Sequence, residues 1–561
     1  MYKKEDFNIK TLGCFYSRLR TVFRVFAPDY NELKLIIKNH EYKMHRKGAC
    51  FEIALCGNLE LQSYHYEGDG ISFADPFAYL ALNGESIVLD TKKFNNEVIV
   101  PEEVNDPIIY ECSVRDFSAD DSYPGKYKKK FLALTETGLK KDDFFVLGLD
   151  YLKHLGITHL QLLPVFDFDN DRSDYNWGYN PTAYNYLKKD YVYNQDDPYA
   201  YINEFRQTVN TLHKNNIRVT LDVVFNHVYN AKKFDLGKML KGKLYRYRQD
   251  GTMAEGSMCG SEIRSEDPFV RAYILEMVYR YLKIFDIDGI RMDLMGILDH
   301  ETVDMLYDMM NEHKKGFLVY GEGWNMGDVL PQEERAAIPN ARKMPGVMMF
   351  NDHFRDTIIS YIAGNREIIE DVEKMIGADG SYLNHRQSLN FVECHDDYTF
   401  YDRMMLYKSD EAKELNEKRS RLALAIVLVS RGVPFIHMGE EFLRSKGGLR
   451  NSYNSGDYIN SIDWDERVKH NELCDYFRDL IQIRKKYPVF NKSDTPVDFS
   501  DYYECLIYRI GNLMIIINPS GNDYMYSDGN NYCVIFDDRG ACEYQSEILA
   551  VSAYSLVICR F

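Results

Sequence analysis

The sequence is short of tryptophan, of long apolar runs and of paired cysteines, and each shortage narrows what the chain can be. Only three of its 561 residues are Trp. No uncharged apolar run reaches the roughly 18 residues that a membrane-crossing helix needs, so no transmembrane helix is expected. The opening residues MYKKEDFNIK are charged and lack the apolar segment of a secretory signal. The eleven cysteines, an odd number, are scattered without CxxC spacing. That argues against a disulfide framework and a zinc site, and makes the reducing cytoplasm the expected compartment. Positive charge is in deficit, with a net charge of −18. Neither nucleic acid nor an anionic membrane is therefore an expected partner, and a neutral substrate fits better. There is no internal repeat and no low-complexity tract.

What is present is ordinary globular composition, 45% hydrophobic and 27% charged, with aromatics high at 14%, mostly Tyr and Phe. The length allows about two to four domains. Residues 1–95 read as a small β-domain, with short alternating segments such as TVFRVFAP (21–28) and LKLIIKNH (33–40) between polar turns. From about 105 the texture changes. Eight β-rich apolar runs follow: IIYECSVRDF (108–117), THLQLLPV (158–165), RVTLDVVFNH (218–227), GIRMDLM (289–295), FLVYGEGW (317–324), GVMMFNDH (346–353), SLNFVECHDD (388–397) and VPFIHMGEE (433–441). Helical patterns over 146–155, 199–215, 268–285, 300–314 and 415–431 separate several of them, and long excursions occupy 166–198 and 228–262. The alternation predicts a (β/α)8 TIM-type barrel over 96–488, closed by a helix near 467–487. An N-terminal β-sandwich (1–95) and a C-terminal β-sandwich domain (489–561) are expected to flank it.

Seven of the eight runs end in polar groups: Arg115/Asp116, Asn226/His227, Asp293, Glu322, Asn351/Asp352, His395/Asp396 and Glu440/Glu441. In such barrels the strand C-termini ring one mouth, where chemistry occurs. The fourth run carries Arg291 and Asp293 at alternate positions, which places both charges on one strand face. Each polar end taken alone also fits a helix cap or a turn. Together they place Asp293, Glu322 and Asp396 at one opening. Three carboxylates in one cleft repel, so one is expected to keep its proton while another stays charged. That division suits retaining glycoside hydrolysis, with a nucleophile and an acid/base about 5–5.5 Å apart; a metal site is the alternative use of such a cluster. Arg291 is placed to hold Asp293 ionised. The stretch SDYNWGYNPTAYN (173–185) concentrates Tyr175, Trp177, Tyr179 and Tyr184 in one excursion. It reads either as a packed loop or as a platform for sugar faces.

These residues resemble glycoside hydrolase family 13, the α-amylase superfamily. Its four motif regions correspond to DVVFNH (222–227), GIRMDLMG (289–296), YGEGW (320–324) and FVECHDD (391–397). YNWGYNP (175–181), YECSVRDFS (110–118) and NSYNSGDYINSIDW (451–464) are similar to its type I pullulanase branch, and the N-terminal stretch resembles a family-48 carbohydrate-binding module. The resemblance implies that Asp293 is the nucleophile, Glu322 the acid/base and Asp396 the carboxylate that grips sugar hydroxyls. It further implies that Arg291 fixes Asp293, that His227 and His395 bond hydroxyls, that Tyr179 stacks beneath the sugar beside Trp177, and that Asp222 braces the site. The implied substrate is an α-glucan cut at α-1,6 branch linkages, in pullulan, amylopectin, glycogen or limit dextrins. The alternatives are α-1,4 hydrolysis or transfer to a sugar acceptor and, remotely, a silent glycan binder. No cofactor is required; Asn226 matches a calcium-ligand position of some members, which leaves calcium open. The oligomeric state is not assigned. Two departures stand out. The fourth region reads His395-Asp396-Asp397 where the family has His-Asp-Asn, and YLKKDYVYNQDD (186–197) replaces the usual loop bordering the cleft. The N-terminal module contains no Trp and is expected to be mainly structural or a weak glycan binder.

Overall fold

A computed structural model describes residues 2–492, 495–502 and 505–561. Its centre is a closed barrel of eight parallel strands: β1 (Ile109–Cys112), β2 (His159–Leu162), β3 (Arg218–Val223), β4 (Gly289–Met292), β5 (Leu318–Gly321), β6 (Met348–Phe350), β7 (Ser388–Asn390) and β8 (Val433–His437). Each of the eight apolar runs supplies one strand, in sequence order. The register closes the ring, with Ile109 of β1 opposite both His159 of β2 and Phe435 of β8. Nearly every strand position is buried, as expected for a parallel sheet covered by helices.

The strands are shorter than the runs that announced them. β4 stops at Met292, so Asp293 lies just past the strand and not on its face. The two charges still meet, because the chain turns there through a left-handed Leu294. The polar ends also divide. Asn351 is spent as a cap, its side-chain oxygen accepting the Phe354 N–H at 2.8 Å at the start of the helix Asp352–Ile362. Glu441 is fully buried behind β1, accepting the hydroxyls of Tyr110 and Tyr151. Arg115 pairs with Asp457 at 2.6 Å. The helices Asp352–Ile362, Ile369–Gly377 and Phe400–Tyr407 were not visible in the periodicity.

The helix Pro268–Phe285 shows how local signals set an element. Asp267 caps it by accepting the Phe269 N–H, Pro268 occupies the first turn, and Asp286 ends it in the left-handed conformation. This helix also carries the N-terminal module. That module is two packed antiparallel sheets, four strands over Gly13–Cys56 and six over Lys34–Ile87. Phe26 stacks on Phe269 at 4.2 Å, Phe77 meets Tyr273 edge-on at 5.2 Å, and Arg280 donates to the Phe77 carbonyl at 2.7 Å. Module and barrel share one continuous hydrophobic core.

At the other end, a six-stranded antiparallel sheet runs from Val497 to Arg560. One face, with Tyr508, Ile515 and Ile558, joins the barrel core. The other, with Ile507, Ile516 and Val557, is covered by the two-stranded sheet Tyr524–Tyr526 and Leu549–Val551. The result is a sandwich of unequal layers. Among the described residues, no helix is long and apolar enough to cross a membrane.

Candidate active site

The ends of β3, β4, β5 and β7 converge with the 166–198 and 228–262 excursions on a cleft of about 520 Å³. Trp177, Tyr179, His227, Asp293, Glu322, His395 and Asp396 line it. Arg291 and Asp222 lie directly beneath, 1% and 0% exposed.

Arg291 organises the floor. Nη1 donates to both Asp222 oxygens at 2.9 Å and to Asp293 Oδ1 at 3.2 Å, while Nη2 donates to Glu322 Oε1 at 2.6 Å. One guanidinium thus spans the two carboxylates that the family resemblance implies to be nucleophile and acid. The remaining oxygens are also held. Asn226 donates its amide to Asp293 Oδ2 at 2.8 Å, and the Leu294 N–H reaches Glu322 Oε2 at 3.0 Å. Gly296, between the two loops, packs so closely that a Cβ there would run into the Trp324 carbonyl, and its N–H bonds the Glu322 carbonyl at 2.9 Å.

Three buried carboxylates share one cation, so the site carries excess negative charge. Glu322 is pushed up to about 7, by burial first, with Asp293 and Asp396 adding to it against the pull of Arg291. Asp222 is pushed up to about 7 as well, by burial, although Arg291 and the Tyr179 hydroxyl (2.7 Å) oppose it.

One wall of the cleft is aromatic. Tyr179 lies flat against the His395 ring, centroids 4.9 Å apart and planes within 15°, and Trp177 stands edge-on to the same ring at 5.0 Å. The two readings of the aromatic excursion divide its residues between them. Tyr175 is buried and bonds Asp116 at 2.7 Å, Tyr184 is buried and bonds the His227 carbonyl at 2.7 Å, and Trp177 and Tyr179 line the cleft. His227 has Nδ1 against Asn226 Oδ1 at 2.6 Å and Nε2 against the Tyr179 carbonyl at 3.1 Å, and burial lowers its pKa.

Asn226 therefore has its amide nitrogen on Asp293 and its oxygen on His227. Among the described residues, no group of three or more His, Cys, Asp or Glu side chains is placed to hold a metal. The Asn226 amide nitrogen serves Asp293. Asp397 turns away from the cleft. It adopts a left-handed backbone (φ 65°), a conformation that Asn and Asp tolerate, and its carboxylate pairs with Arg403 at 3.1 Å and Arg450 at 3.2 Å. The Tyr398 N–H and those two cations outweigh partial burial and keep it below the usual range.

Pattern reading had not singled out Glu111, nor the Met258, Cys259, Trp324 and Met326 side chains that also line the cleft. Glu111 had a legible signal, a carboxylate in the middle of a buried strand; Trp324 closes the fifth apolar run, and the others are contributed by loops without a periodic pattern.

A parallel barrel with this carboxylate trio at its C-terminal mouth defines a class, the barrel glycosidases. Comparison with known proteins narrows it. The alpha amylase catalytic domain family matches residues 146–247. The pullulanase of Bacillus subtilis (strain 168) is 36% identical over 604 aligned residues, covering 98% of this chain and 84% of that protein. The crystal structure of an Anoxybacillus sp. LM18-11 pullulanase complexed with maltotetraose superposes with a TM-score of 0.95 at 30% identity, over 99% of this chain and 88% of that one. The type I pullulanase of Bacillus subtilis str. 168, complexed with maltose, gives 0.93 at 33% identity over 99% and 86%. The chain belongs to the α-amylase superfamily, glycoside hydrolase family 13, on its type I pullulanase branch.

Proposed function

We propose that this protein hydrolyses α-1,6-glucosidic branch linkages with retention of configuration, using Asp293 as nucleophile and Glu322 as acid/base. The observation that carries the assignment is the single Arg291 guanidinium spanning both carboxylates, with burial driving Glu322 toward its protonated form. Asp293 attacks the anomeric carbon as Glu322 passes its proton to the departing glycosidic oxygen. Water then attacks the glycosyl ester and gives its proton to Glu322, which restores both groups. Asp396, with an open side chain (56% exposed), grips hydroxyls of the same sugar, and Tyr179 backs its ring. His227 and His395 flank that ring, Trp177 extends the aromatic wall, and Asp222 holds Arg291 in place.

The substrates are branched or α-1,6-linked glucans: pullulan, amylopectin, glycogen and their limit dextrins. Maltooligosaccharides occupy the related pullulanase structures, which supports an α-glucan ligand here. We place the protein in the cytoplasm, because all eleven of its cysteines are free thiols. Incubation with pullulan, amylose and β-limit dextrin side by side tests the activity. Maltotriose from pullulan with amylose untouched is expected; panose, or a lengthened branch, would transfer the assignment to an α-1,4-acting or transglycosylating enzyme.

A further inference from the structure

Glu111 occupies the third position of β1, 1% exposed, between Tyr110 and Cys112. A buried carboxylate is costly unless it is fully bonded, and this one is. Oε2 accepts the backbone N–H of His395 at 2.8 Å. Oε1 accepts the Nδ1–H of the same residue at 2.7 Å and the Gln161 amide at 3.2 Å. Gln161 in turn accepts the Tyr320 hydroxyl at 2.8 Å, so the carboxylate is fixed from across the barrel interior. With Nδ1 committed to Glu111, the ring edge left for the cleft is Nε2, 3.4 Å from Asp396 Oδ2. The strand-1 carboxylate thus reaches the mouth through a residue on the loop after β7.

We propose that Glu111 is a positioning residue of the glucan site: by gripping His395 at two points it fixes the imidazole so that its Nε2 edge, 3.4 Å from Asp396 Oδ2, orients Asp396 toward the sugar hydroxyls. This rests on the role given to Asp396 above. The groups facing the ring bear it out. Glu111 comes from β1, Asp396 from its own loop, and Arg291 from β4 with Asp222 behind it. Lys446 sits on the His395 carbonyl and His437 lies beyond, both on the β8 side. Burial disfavours the charged ring, but the two carboxylates outweigh it and Arg291, and carry the histidine to about 9.

Glu111→Gln keeps the side-chain size and sets an amide N–H₂ against one of the two His395 donors. On pullulan, kcat/KM is expected to fall about 10- to 100-fold, the range for carboxylates that orient functional histidines at metal sites. The pH profile separates this role from a merely structural one. On an aryl α-maltotrioside with a good leaving group, which needs little protonation by Glu322, the wild-type alkaline limb should follow His395 near pH 9; in Glu111→Gln it should move toward the ordinary histidine value of about 6.5. Nitrogen-15 spectra of the full chain, with His395 assigned by its loss in His395→Gln, should show an imidazolium at pH 8. A folded Glu111→Gln protein with an unmoved limb and intact kcat/KM would overturn the proposal, and so would a neutral wild-type ring at pH 8. If Glu111→Gln does not fold, the wild-type spectrum decides alone. Full activity in Asp396→Asn would sink the role of Asp396 while leaving the imidazolium measurement standing.

Discussion

The barrel carries an ionic cluster at each end, and in the two the balance of acidic and basic side chains runs to opposite effect. At the N-terminal end, Asp288 accepts from His213 at 2.7 Å and the Val219 N–H at 2.8 Å, and pairs with Lys314 at 2.8 Å. Burial opposes its charge, but the histidine and the lysine overcome it and hold Asp288 well below the usual aspartate range. At the C-terminal mouth, Asp222, Asp293 and Glu322 all bond to the one Arg291 guanidinium, and the balance goes the other way: burial pushes Glu322 up to about 7. The lower cluster is electrostatically complete. The upper one is left with more carboxylate than cation, which favours the protonated forms of Glu322 and Asp222. Local inconsistency of this sort marks the working end of a fold.

The sharpest test removes one acid from each end. Asp293→Asn should lower turnover of pullulan by roughly 10⁴-fold or more, the scale seen when a catalytic nucleophile is deleted. Its melting temperature should hold or rise, since the mouth loses surplus charge. Asp288→Asn should do the reverse, destabilising the fold by about 3–5 kcal/mol through an orphaned buried partner, with kcat retained at temperatures where it stays folded. Calorimetry and steady-state assays on both variants decide; a melting loss in Asp293→Asn as large as that in Asp288→Asn would erase the contrast. Glu322→Gln sharpens it further. Activity on natural glucans should fall severely, while aryl glucosides with good leaving groups, which need little protonation, should be spared much of the loss. Equal damage to both substrates would remove Glu322 from the acid role.

Much of this contrast was legible in the residues, and the illegible parts have physical reasons. Polar residues at the ends of apolar runs exposed the mouth, because a parallel strand buried on both faces has no cause to carry charge except where it leaves the sheet. That logic placed Asp293, Glu322 and Asp396 at one opening, and Arg291 beside Asp293 even though β4 ends before it. It overreached at Asn351, where the same signal is a helix cap, and at Glu441, where it is a buried hydrogen-bond acceptor. It passed over Glu111, whose charge sits in mid-strand and is satisfied from the loop after β7, by a partner 284 positions away. Asp288 was equally silent: a single Asp before a strand reads as a turn residue until His213 and Lys314 arrive from other elements. Pairings between distant segments decide whether a buried charge is complete or in surplus, and sequence spacing does not encode them.

The two ends should also answer pH with opposite sign. An unfolded glutamate titrates near about 4.3; folded Glu322 titrates near about 7. Between those values the folded chain holds a proton that the unfolded chain has released, so this group costs stability as pH rises through the interval. Asp288, held low, contributes stability that is present above the ordinary aspartate pKa and lost only as pH falls below it. Glu322→Gln should therefore melt close to the wild type at pH 5 and a few degrees above it at pH 8. A variant that melts lower at pH 8 would mean that the glutamate is stabilising there, and the surplus-charge account would fail.

The smallest effect is expected at the departure from the family pattern in the fourth motif. Asp397 lies beside the mouth in sequence but belongs, electrostatically, with the completed clusters. Its carboxylate is matched by Arg403 and Arg450, and its left-handed backbone suits Asp and Asn alike. A charge already neutralised by two guanidinium groups adds little to the field at Glu322. Asp397→Asn, which restores the usual family residue, should change kcat/KM on pullulan by less than about threefold, a cost below roughly 0.7 kcal/mol and in keeping with partly exposed ion pairs. It should also leave the position of the alkaline limb of the pH profile, set by Glu322, where it was. A shift of that limb by a full pH unit would show that Asp397 feeds the excess charge at the mouth, and the boundary drawn here between complete and surplus clusters would have to be moved to include it.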